Sequence, residues 1–307
     1  MGNIKLKREP KLTVKHNAIK YQEEALKEVC SMEYAAIFHE QGLGKSKIAI
    51  DLILYWLEKK SVDTILLIVK KGLIENWKNE FAIHTHTEPR VLTQNTNLNF
   101  HILNSPCRII LAHYEVIRKE EPRLKLFLKT RSVAAILDES TKIKNPESDL
   151  AKSFFTLAPL FKKRIIMSGL PVANRPYDIW AQIYFLDQGE HLGESFPEFK
   201  NNHDFSNTLD EDESSKNDFE NYLSAVWERI SSFCVRETKE SAGIELPNKT
   251  IKNVYTDWEN RQHDLYRQVQ KEFRSVVVKE GIPREDNSDD LLKRLLRLVQ
   301  IASNPAL

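Results

Sequence analysis

A glycine-rich stretch that ends in lysine and serine is the first segment whose residue types could do chemistry. It runs from His39 to Ser46, between a predicted buried strand, Tyr34–Phe38, and a predicted helix, Ile48–Leu57, whose apolar residues recur at near-helical spacing. Glycines let the backbone turn its N–H groups inward, and the helix N-terminus adds partial positive charge. Lys45 can supply a point charge for outer phosphates, and the Ser46 hydroxyl can ligate Mg²⁺. The stretch therefore predicts a phosphate-binding P-loop, although His39 stands at the position of its first glycine.

Two adjacent carboxylates follow another apolar run. Val133–Leu137 is a predicted buried strand, and Asp138 and Glu139 come directly after it. In an open α/β sheet, the carboxyl ends of the strands form the edge where ligands bind. We therefore expect Asp138 to hold the Mg²⁺ of a nucleotide and Glu139 to orient or activate the attacking water. The alternative is a strand that simply ends in polar residues, which the upstream P-loop disfavours.

Composition narrows the classes of protein. The 307 residues can form one large domain or two smaller ones. Lys and Arg number 45 against 44 Asp and Glu, a net charge of +1, so any nucleic-acid surface has to be local. Cys30, Cys107 and Cys234 lack C-x-x-C spacing, which argues against a disulfide framework or a zinc site and fits a reducing cytosol. No apolar run reaches membrane-spanning length, so we expect a soluble intracellular protein without a membrane partner.

Five apolar runs predict the strands of one sheet. They are continuous in Ile, Leu and Val rather than alternating, which indicates strands buried on both faces, as in a parallel sheet with helices on either side. The runs are Tyr34–Phe38, Thr64–Val69, Arg108–Ala112, Val133–Leu137 and Arg164–Met167. The predicted fold class is therefore α/β.

The character of the sequence changes after Leu186. An acidic stretch from Asn201 to Asp218 is a predicted solvated loop. Beyond it, hydrophobic periodicity predicts three helices and one short strand. The helices are predicted over Phe219–Phe233, Asn260–Lys279 and Leu291–Ile301, and the strand over Thr250–Thr256.

Seven segments follow one another in an order that is far more specific than a P-loop alone. They are Tyr21-Gln22; Glu40 to Ser46; Leu73 to Trp77 with Glu80-Phe81; His113-Tyr114-Glu115; Asp138 to Asn145; Ser168 to Pro171 with Asn174 and Trp180; and Val235-Arg236, Leu246-Pro247, Gln262 and Tyr266. Over nearly the whole chain they resemble the motifs of the first motor lobe of the Swi/Snf-type translocases, within helicase superfamily two. The resemblance implies a RecA-like P-loop lobe with a central, mostly parallel sheet flanked by helices, and a helical insertion after the Ser168-Gly169-Leu170-Pro171 motif.

The resemblance also implies a division of the chain. Residues 1–186 would form the ATP-binding motor lobe. Residues 187–307 would form a helical insertion, with the strand near 250–256 returning to the lobe sheet, and a linker helix. Ile301 to Pro305 resembles the helix that leads into a second motor lobe, whose two arginines would reach the γ-phosphate. Without that lobe we expect this 307-residue form to bind ATP and to hydrolyse it very little. Its oligomeric state is left open.

The resemblance implies roles for individual residues. Nucleotide contacts, including recognition of the adenine edge by Gln22, are implied for Tyr21, Gln22, Gln41, Gly42, Leu43, Gly44, Lys45 and Ser46. Catalytic roles are implied for Lys45, Asp138 and Glu139, and metal contacts for Ser46 and Asp138. Transmission of the nucleotide state is implied for Ser168, Gly169 and Pro171. Contacts with duplex DNA, made to phosphates without reading sequence, are implied for Lys71, Gly72, His113, Tyr114, Lys142, Lys144 and Asn145.

Structural alternatives stand beside several of these roles. Lys142 and Lys144 can equally be ordinary surface charges. Trp77 and Trp180 lie in apolar helical segments, which favours core anchors over base-stacking residues. His39 is expected to line the loop as a neutral side chain.

The sequence departs from the family pattern at several motif positions. Lys70 replaces a proline, and His113 replaces a serine or threonine. Ser140-Thr141 replaces an Ala-His pair, whose histidine helps to connect hydrolysis to the motif that starts at Ser168. Because Thr141 can still form a hydrogen bond, we expect altered coupling with the ATP chemistry retained.

The residues and the resemblance together predict the first lobe of a double-stranded-DNA translocase ATPase that uses ATP and Mg²⁺. We expect it to track along one strand of a duplex rather than to separate the strands. The alternative is a nucleotide-gated interaction module, in which ATP acts as a switch and partners do the work. DNA-stimulated turnover of the intact protein separates the two. The expected location is the cytoplasm, in a bacterial or phage setting, or the nucleus if the source is eukaryotic.

Overall fold

The apolar runs form one parallel sheet. The computed structural model describes residues 6, 9–172, 175–203, 224–244, 250–255, 257–272, 274–279, 282–287 and 291–303. The strands of the sheet are β1 Tyr34–Ile37, β2 Thr64–Val69, β3 Arg90–Val91, β4 Ile109–His113, β5 Val133–Asp138, β6 Lys163–Met167 and β7 Cys234–Val235. All seven are parallel, in the order β3-β4-β2-β5-β6-β1-β7. This confirms the predicted α/β fold and its five predicted strands, and it adds two strands of two residues each at the edges.

Helices connect the strands. They are α1 Lys20–Val29, α2 Lys45–Glu58, α3 Ile74–His84, α4 Thr96–Asn104, α5 Tyr114–Lys119, α6 Glu121–Thr130, α7 Asp149–Leu157, α8 Trp180–Asp187, α9 Phe196–His203 and α10 224–230. Short 3-10 turns follow β2 at Lys71–Leu73 and β5 at Ser140–Ile143. Among the residues that the structure describes, no helix is both long and apolar enough to cross a membrane.

The core lies on both faces of the sheet, which explains why the strands read as continuous apolar runs. Along β2, Leu66 and Ile68 belong to one apolar cluster, whereas Ile65 and Leu67 belong to another. Successive side chains of a strand point to opposite faces, so a strand that is covered on both sides needs an apolar residue at every position. All six residues of β2 and of β5 are buried.

The register of three neighbouring strands brings their carboxyl ends to the same level. Asp138 at the end of β5 pairs with Met167 of β6, and Met167 in turn pairs with Ile37 of β1. The loops that follow these strands carry the predicted P-loop, the carboxylate pair and the Ser168 to Pro171 motif. They therefore begin side by side at one edge of the sheet.

The seventh strand and the residues after it hydrogen-bond to the segment that leads into the P-loop, a set of contacts that we call the clasp. β7 pairs with β1, and the Phe38 N–H donates to the carbonyl of Val235 at 2.8 Å. Beyond the strand, the Glu40 N–H donates to the Glu237 carbonyl at 3.0 Å, and the Lys239 N–H donates to a carboxylate oxygen of Glu40 at 2.9 Å. A segment 199 residues further along the chain thus holds the entrance to the loop.

The strand predicted over Thr250–Thr256 is not present in residues 250–255, and Thr256 lies outside the described residues. Residues 250–255 have no regular secondary structure, and the apolar side chains of Ile251 and Val254 are exposed rather than packed against the sheet. The strand that joins the lobe sheet after the helical insertion is β7.

The chain divides into two compact units, Met1–Glu245 and Leu246–Leu307. The boundary that we predicted between residues 186 and 187 lies inside the first unit. Apolar side chains on both sides of it, such as Phe185 and Phe199, belong to the same cluster as the sheet residues.

The second unit contains helices α11 Asn260–Glu272 and α12 Leu291–Ser303 and a hairpin of β8 Arg274–Lys279 and β9 Ile282–Asn287. The Gln262 amide donates to the carbonyl of Ile301 at 2.7 Å and joins the two helices. The helix predicted to continue to Lys279 ends at Glu272 instead, because the three consecutive valines that follow are β-branched and favour a strand. The predicted helix over Leu291–Ile301 is present. Of the helix predicted over Phe219–Phe233, the structure describes 224–230 and a 3-10 turn at Ser231–Phe233; residues 219–223 lie outside the described part.

Candidate functional site

The glycine-rich loop between β1 and α2 has the backbone that a phosphate cradle needs. Gly42 and Gly44 have φ values of +87° and +73°, in the left-handed region that glycine alone adopts freely. A Cβ on Gly44 would also lie 2.3 Å from the Gln22 amide nitrogen, so a side chain has no room there. Because α2 begins at Lys45, the first N–H groups of this helix, which lack helical partners, are at the loop. The loop can therefore present backbone donors and helix-end charge to an anion.

The Lys45 ammonium is folded back over the loop. Its Nζ donates to the carbonyl of His39 at 2.8 Å and to the carbonyl of Glu40 at 3.1 Å. Burial lowers the pKa of Lys45, while the nearby carboxylates of Glu139 and Asp138 raise it. Both acceptors are neutral oxygens, so a phosphate that enters the loop offers this cation a stronger partner than those it has.

Asp138 is held in place by a tryptophan. It is only 9% exposed at the end of β5, and one of its carboxylate oxygens accepts a hydrogen bond of 2.8 Å from the Trp77 indole N–H. Burial raises the pKa of Asp138, the indole donor lowers it, and the Glu139 carboxylate raises it again. Trp77 is buried as we expected of a core anchor, yet it also orients a predicted metal ligand. Sequence reasoning missed this role, because spacing places a tryptophan on an apolar helix face without saying what its N–H contacts.

Glu139 turns the chain out of β5. Its φ of +54° is left-handed, a conformation that costs a residue with a side chain on the order of 1–2 kcal/mol. The turn leads directly into the 3-10 turn of Ser140–Ile143 and directs the carboxylate into the cleft. There it forms an ion pair with Lys70, whose Nζ lies 3.4 Å from one carboxylate oxygen. Lys70 is thus a second contact of the site that the sequence did not predict as functional.

The loop and the carboxylates line one cleft of about 510 Å³. Of the predicted residues, the cleft is lined by Gln22, Gln41, Gly42, Gly44, Lys45, Ser46, Asp138 and Glu139. It is also lined by residues that we did not predict: Asn17, Lys47, Glu80 and His84. Glu80 belongs to one of the seven motif segments, whereas nothing in the sequence marks Asn17, Lys47 and His84.

Tyr21 and Leu43 were predicted nucleotide contacts and lie outside the lining of the cleft. Leu43 is fully buried, and Tyr21 is half-buried with its ring 6.4 Å from the ring of His39. The His39 imidazole is itself buried, and neither of its nitrogens has a partner among the described residues. Burial lowers the pKa of His39, which favours the neutral ring expected from the sequence.

Gln22 links α1 to the loop. Its amide donates to the carbonyl of Leu43 at 3.2 Å, and its amide oxygen accepts from the Ile19 N–H at 3.2 Å. Both ends of the carboxamide are therefore engaged inside the protein. Because a carboxamide has two N–H donors and an oxygen with two lone pairs, Gln22 can keep both of these bonds while it contacts a base.

The Ser168 to Pro171 motif lies against the glycine-rich loop. A Cβ on Gly169 would lie 2.9 Å from the Gln41 side chain and 3.5 Å from the Nζ of Lys45. Ser168 is buried at the end of β6, and its hydroxyl accepts a hydrogen bond of 3.2 Å from the Leu170 N–H. The structure thus brings the motif predicted to transmit the nucleotide state into contact with the predicted phosphate cradle.

Two of the residues predicted to contact DNA are buried, which argues against a direct contact by their side chains. Tyr114 is 0% exposed: its hydroxyl donates to the Asp138 carbonyl at 2.8 Å, and its ring packs on Phe154. His113 is 6% exposed, with Nδ1 2.9 Å from a carboxylate oxygen of Glu115. His113 ends β4 and Tyr114 starts α5, and both side chains are directed into the protein, which favours support of the loops over contact at their surface.

The remaining residues predicted to contact DNA lie at the same edge and differ in how far their charge is already compensated. Lys142 forms an ion pair of 3.1 Å with Glu115, and Lys144 one of 3.0 Å with Asp178. Burial alone raises the pKa of Glu115, but hydrogen bonds from His113, from its own backbone and from Lys142 outweigh it and hold that pKa at about 2.

Lys71, Gly72 and Asn145 are exposed in the turns that follow β2 and β5. Within the described part of the chain, no ion pair involves Lys71. Of the three lysines predicted to contact DNA, Lys71 is the one that has no neighbouring carboxylate partner among the described residues.

Known proteins show the same architecture. The chain is 26% identical over 275 residues to chromatin structure-remodeling complex subunit snf21 of Schizosaccharomyces pombe, which covers 87% of this chain and 22% of that protein. It is 28% identical over 302 residues to an uncharacterized ATP-dependent helicase of Mycoplasma genitalium, covering 94% of this chain and 27% of that protein. The chain therefore spans about a quarter of the length of these curated relatives.

Solved structures agree with the sequence comparison. The SWI2/SNF2 ATPase core of Sulfolobus solfataricus in complex with dsDNA superposes with a TM-score of 0.60 at 23% identity, covering 97% of this chain and 61% of that one. The ATPase core domain of the same organism gives a TM-score of 0.57 at 25% identity, covering 100% and 61%. These likenesses confirm the resemblance to the first motor lobe that the motifs suggested. A family model described as the SNF2-related domain matches residues 21–307, and the chain belongs to that family.

Proposed function

We propose that this chain is the ATP-binding first lobe of a motor that hydrolyses ATP to move along duplex DNA. The observation that carries the proposal is the meeting of Lys45 with Asp138 and Glu139 across one cleft of about 510 Å³. A cation, a carboxylate that can hold a metal and a carboxylate that can hold a water are the parts that phosphoryl transfer requires. Family membership adds that the relatives include an ATP-dependent helicase and a subunit of a chromatin-remodeling complex.

The residues of the cleft fit MgATP. The volume of the cleft is within the range of about 300–1,000 Å³ that small-molecule sites occupy. The left-handed glycines Gly42 and Gly44 leave a concave backbone that a side chain would fill, and Lys45 has only neutral acceptors to give up. Ser46 and Asp138 would supply oxygen ligands, the kind that Mg²⁺ prefers. When bound, MgATP supplies the phosphoryl group and a cation that neutralises charge on its oxygens.

The residues in and around the cleft then have separate roles. Lys45 holds the outer phosphates, Trp77 fixes the orientation of Asp138, and Glu139 positions the attacking water. The Lys70 ammonium keeps the Glu139 carboxylate at the mouth of the cleft through its ion pair. For adenine recognition, Gln22 would use the second N–H and the second lone pair of its carboxamide, beside the bonds to Leu43 and Ile19.

The proposed DNA surface consists of Lys71, Gly72, Lys142, Lys144 and Asn145. These residues lie in the turns after β2 and β5, at the sheet edge that also carries the nucleotide cleft. With a net charge of +1, the attraction has to come from this local cluster and from backbone N–H groups, so binding should be weak, independent of sequence and sensitive to salt. His113 and Tyr114 support the surface from below.

The relatives are about four times as long as the matched region, and we propose that a second motor lobe completes the site with the arginines that reach the γ-phosphate. The segments after residue 187 would then form the helical insertion and the linker towards that lobe. The motor would act in the cytoplasm, or in the nucleus if the source is eukaryotic.

The test is ATP hydrolysis by the full-length protein with and without duplex DNA. We expect DNA to raise the rate several-fold, and we expect Glu139→Gln to retain ATP binding while losing a factor of about 10²–10⁴ in hydrolysis, as removal of a general base does. ATP binding without any stimulation by DNA would favour a nucleotide-gated switch module instead. No ATP binding at all would contradict both.

A further inference from the structure

A buried glutamine connects the two loops on either side of the nucleotide cleft. Gln182 lies in α8 and is 0% exposed, among apolar neighbours that include Trp180, Ile183 and Phe185. A polar side chain in the interior needs hydrogen-bond partners, and its presence there is more informative than that of the apolar residues around it.

The Gln182 carboxamide makes three hydrogen bonds. Its oxygen accepts from the Ser140 hydroxyl at 2.7 Å, and its NH₂ group donates to the carbonyls of Pro171 at 2.7 Å and of Asp178 at 3.0 Å. Two carbonyl acceptors on one side fix which end of the carboxamide is the nitrogen. Ser140 is also 0% exposed, so neither partner has water as an alternative.

These partners belong to three functional parts of the lobe. Ser140 directly follows Glu139, the residue that we propose positions the water. Pro171 ends the motif whose Gly169 lies against the phosphate loop. Asp178 holds the Nζ of Lys144, on the proposed DNA surface, through its carboxylate.

The connection is made at the sequence position where this chain departs from its family. Ser140-Thr141 stands where the pattern has Ala-His, and we expected Thr141 to make the compensating hydrogen bond. In the described residues the Thr141 side chain makes none, and the Ser140 hydroxyl makes it instead. An alanine at this position has no group that could bond to Gln182.

We propose that Gln182 is a positioning residue that couples nucleotide state to DNA binding, by tying the Glu139 turn to Pro171 and to the Asp178–Lys144 pair. The inference rests on the proposed motor function. A buried carboxamide that loses one partner is left with an unsatisfied polar group, which is costly. When the Ser140 turn or the Pro171 loop shifts, Gln182 therefore moves with it and displaces its other partners. The residue touches neither the nucleotide cleft nor the DNA surface itself.

The test is the dependence of DNA affinity on nucleotide in the full-length protein. Duplex-DNA dissociation constants are measured without nucleotide and with a non-hydrolysable ATP analogue for the parent, Gln182→Leu and Ser140→Ala. The ratio of the two dissociation constants measures how strongly nucleotide changes the affinity for DNA. We expect this ratio to be at least threefold closer to one in both variants than in the parent. DNA-stimulated kcat should fall about tenfold in Gln182→Leu, with basal kcat and the KM for ATP within about twofold of the parent.

Ser140→Ala, a double variant and a matched control make the result decisive. Ser140→Ala removes one hydrogen bond and keeps the helix intact, so it decides the matter if Gln182→Leu fails to fold in a thermal melt. The double variant should be no worse than Gln182→Leu, because the two side chains share one bond. Ser153→Ala is the matched control: its hydroxyl is also buried and hydrogen-bonded, to Glu121, away from both loops.

The outcomes separate this inference from the proposed function. Variants that keep the nucleotide-dependent DNA affinity of the parent, with an intact fold, would overturn the coupling role alone. A fall in basal kcat and in stimulated kcat by the same factor would also overturn it, since that is the result of a merely structural residue. If the DNA affinity of the parent does not depend on nucleotide and its ATP hydrolysis does not depend on DNA, the proposed motor function is contradicted, and the inference with it.

Discussion

The indole N–H of Trp77 donates a 2.8 Å hydrogen bond to a carboxylate oxygen of Asp138, from α3 to the end of β5. Both side chains are buried, so the bond fixes which carboxylate oxygen is left to face the cleft. Trp77, which the sequence pattern assigns to the core, therefore also belongs to the proposed metal site. It does not ligate the metal and instead contacts the proposed metal ligand, Asp138.

Trp77→Phe keeps the aromatic ring and removes the donor. We expect the affinity for MgATP to fall about three- to tenfold, and the free energy of unfolding to fall by about 1–3 kcal/mol, because Asp138 loses a buried partner. Calorimetry with and without Mg²⁺ measures the first effect, and denaturant titration the second. Trp180→Phe is the matched control, since that indole donates to the Gly193 carbonyl at 3.1 Å, away from the cleft. Equal loss of MgATP affinity in both variants would refute the role of Trp77.

Lys45→Ala removes the cation from the loop. Charge-assisted hydrogen bonds contribute about 1.5–3 kcal/mol, so we expect ATP affinity to fall roughly 10- to 150-fold. Lys59→Ala, an exposed lysine at the other end of α2, is the control and should bind ATP like the parent. Calorimetry that finds the same affinity in all three proteins would remove the P-loop assignment.

Asp138→Asn is expected to stabilise the fold while weakening the metal contact, because a neutral amide oxygen replaces a carboxylate. Burial raises the pKa of Asp138 above its ordinary value of 3.8. The folded state therefore binds this proton more tightly than the unfolded state, and ionisation of Asp138 lowers stability as the pH rises through the raised pKa. The asparagine side chain does not ionise, so the variant does not lose this stability.

Thermal melts without nucleotide, between pH 4 and pH 8, test the sign. The variant should melt above the parent at neutral pH, and the difference should shrink as the pH falls towards 4, where Asp138 takes up its proton. Asp257→Asn, at an exposed position, should show no such trend. A variant that is less stable than the parent at pH 8 would contradict the argument.

Lys71→Glu should weaken duplex-DNA binding more than reversal of either Lys142 or Lys144 does. The latter two are already paired with Glu115 and Asp178, whereas Lys71 has no ion pair in the described residues. Loss of one phosphate contact lowers the slope of log affinity against log salt by about 0.9. The double variant Lys142→Glu with Lys144→Glu should also weaken binding, with ATP affinity unchanged. Fluorescence titrations at several salt concentrations measure both, and an unchanged slope in Lys71→Glu would show that this lysine does not contact DNA.

The fold could be predicted wherever burial imposes a pattern. β2 and β5 read as strands because each of their positions faces a covered side of the sheet. β3 and β7 could not be predicted, since two residues are too few to show a period. The helix predicted through Lys279 failed for a local reason: valines fit an apolar helical stripe, and their branched side chains still favour a strand.

The site could be predicted at the level of motifs and not of contacts. The spacing placed Lys45, Asp138 and Glu139 at one sheet edge, and there the structure has them. It placed Tyr114 at the same edge but could not show that its ring turns inward to reach the Asp138 carbonyl. It likewise could not show that Ser140, rather than Thr141, finds a partner, because that partner lies 42 residues away.

The clasp between β7 and the P-loop entrance determines when during synthesis the nucleotide site can be completed. Lys239 reaches Glu40 across 199 residues, and β7 closes the sheet beside β1. At about 5–20 residues per second, a ribosome needs on the order of 10–40 s to add that length of chain. The loop therefore leaves the ribosome well before the segment from Cys234 to Lys239, which completes its surroundings. A nascent chain that has not yet reached Cys234 therefore presents ATP with a phosphate loop that has no outer strand.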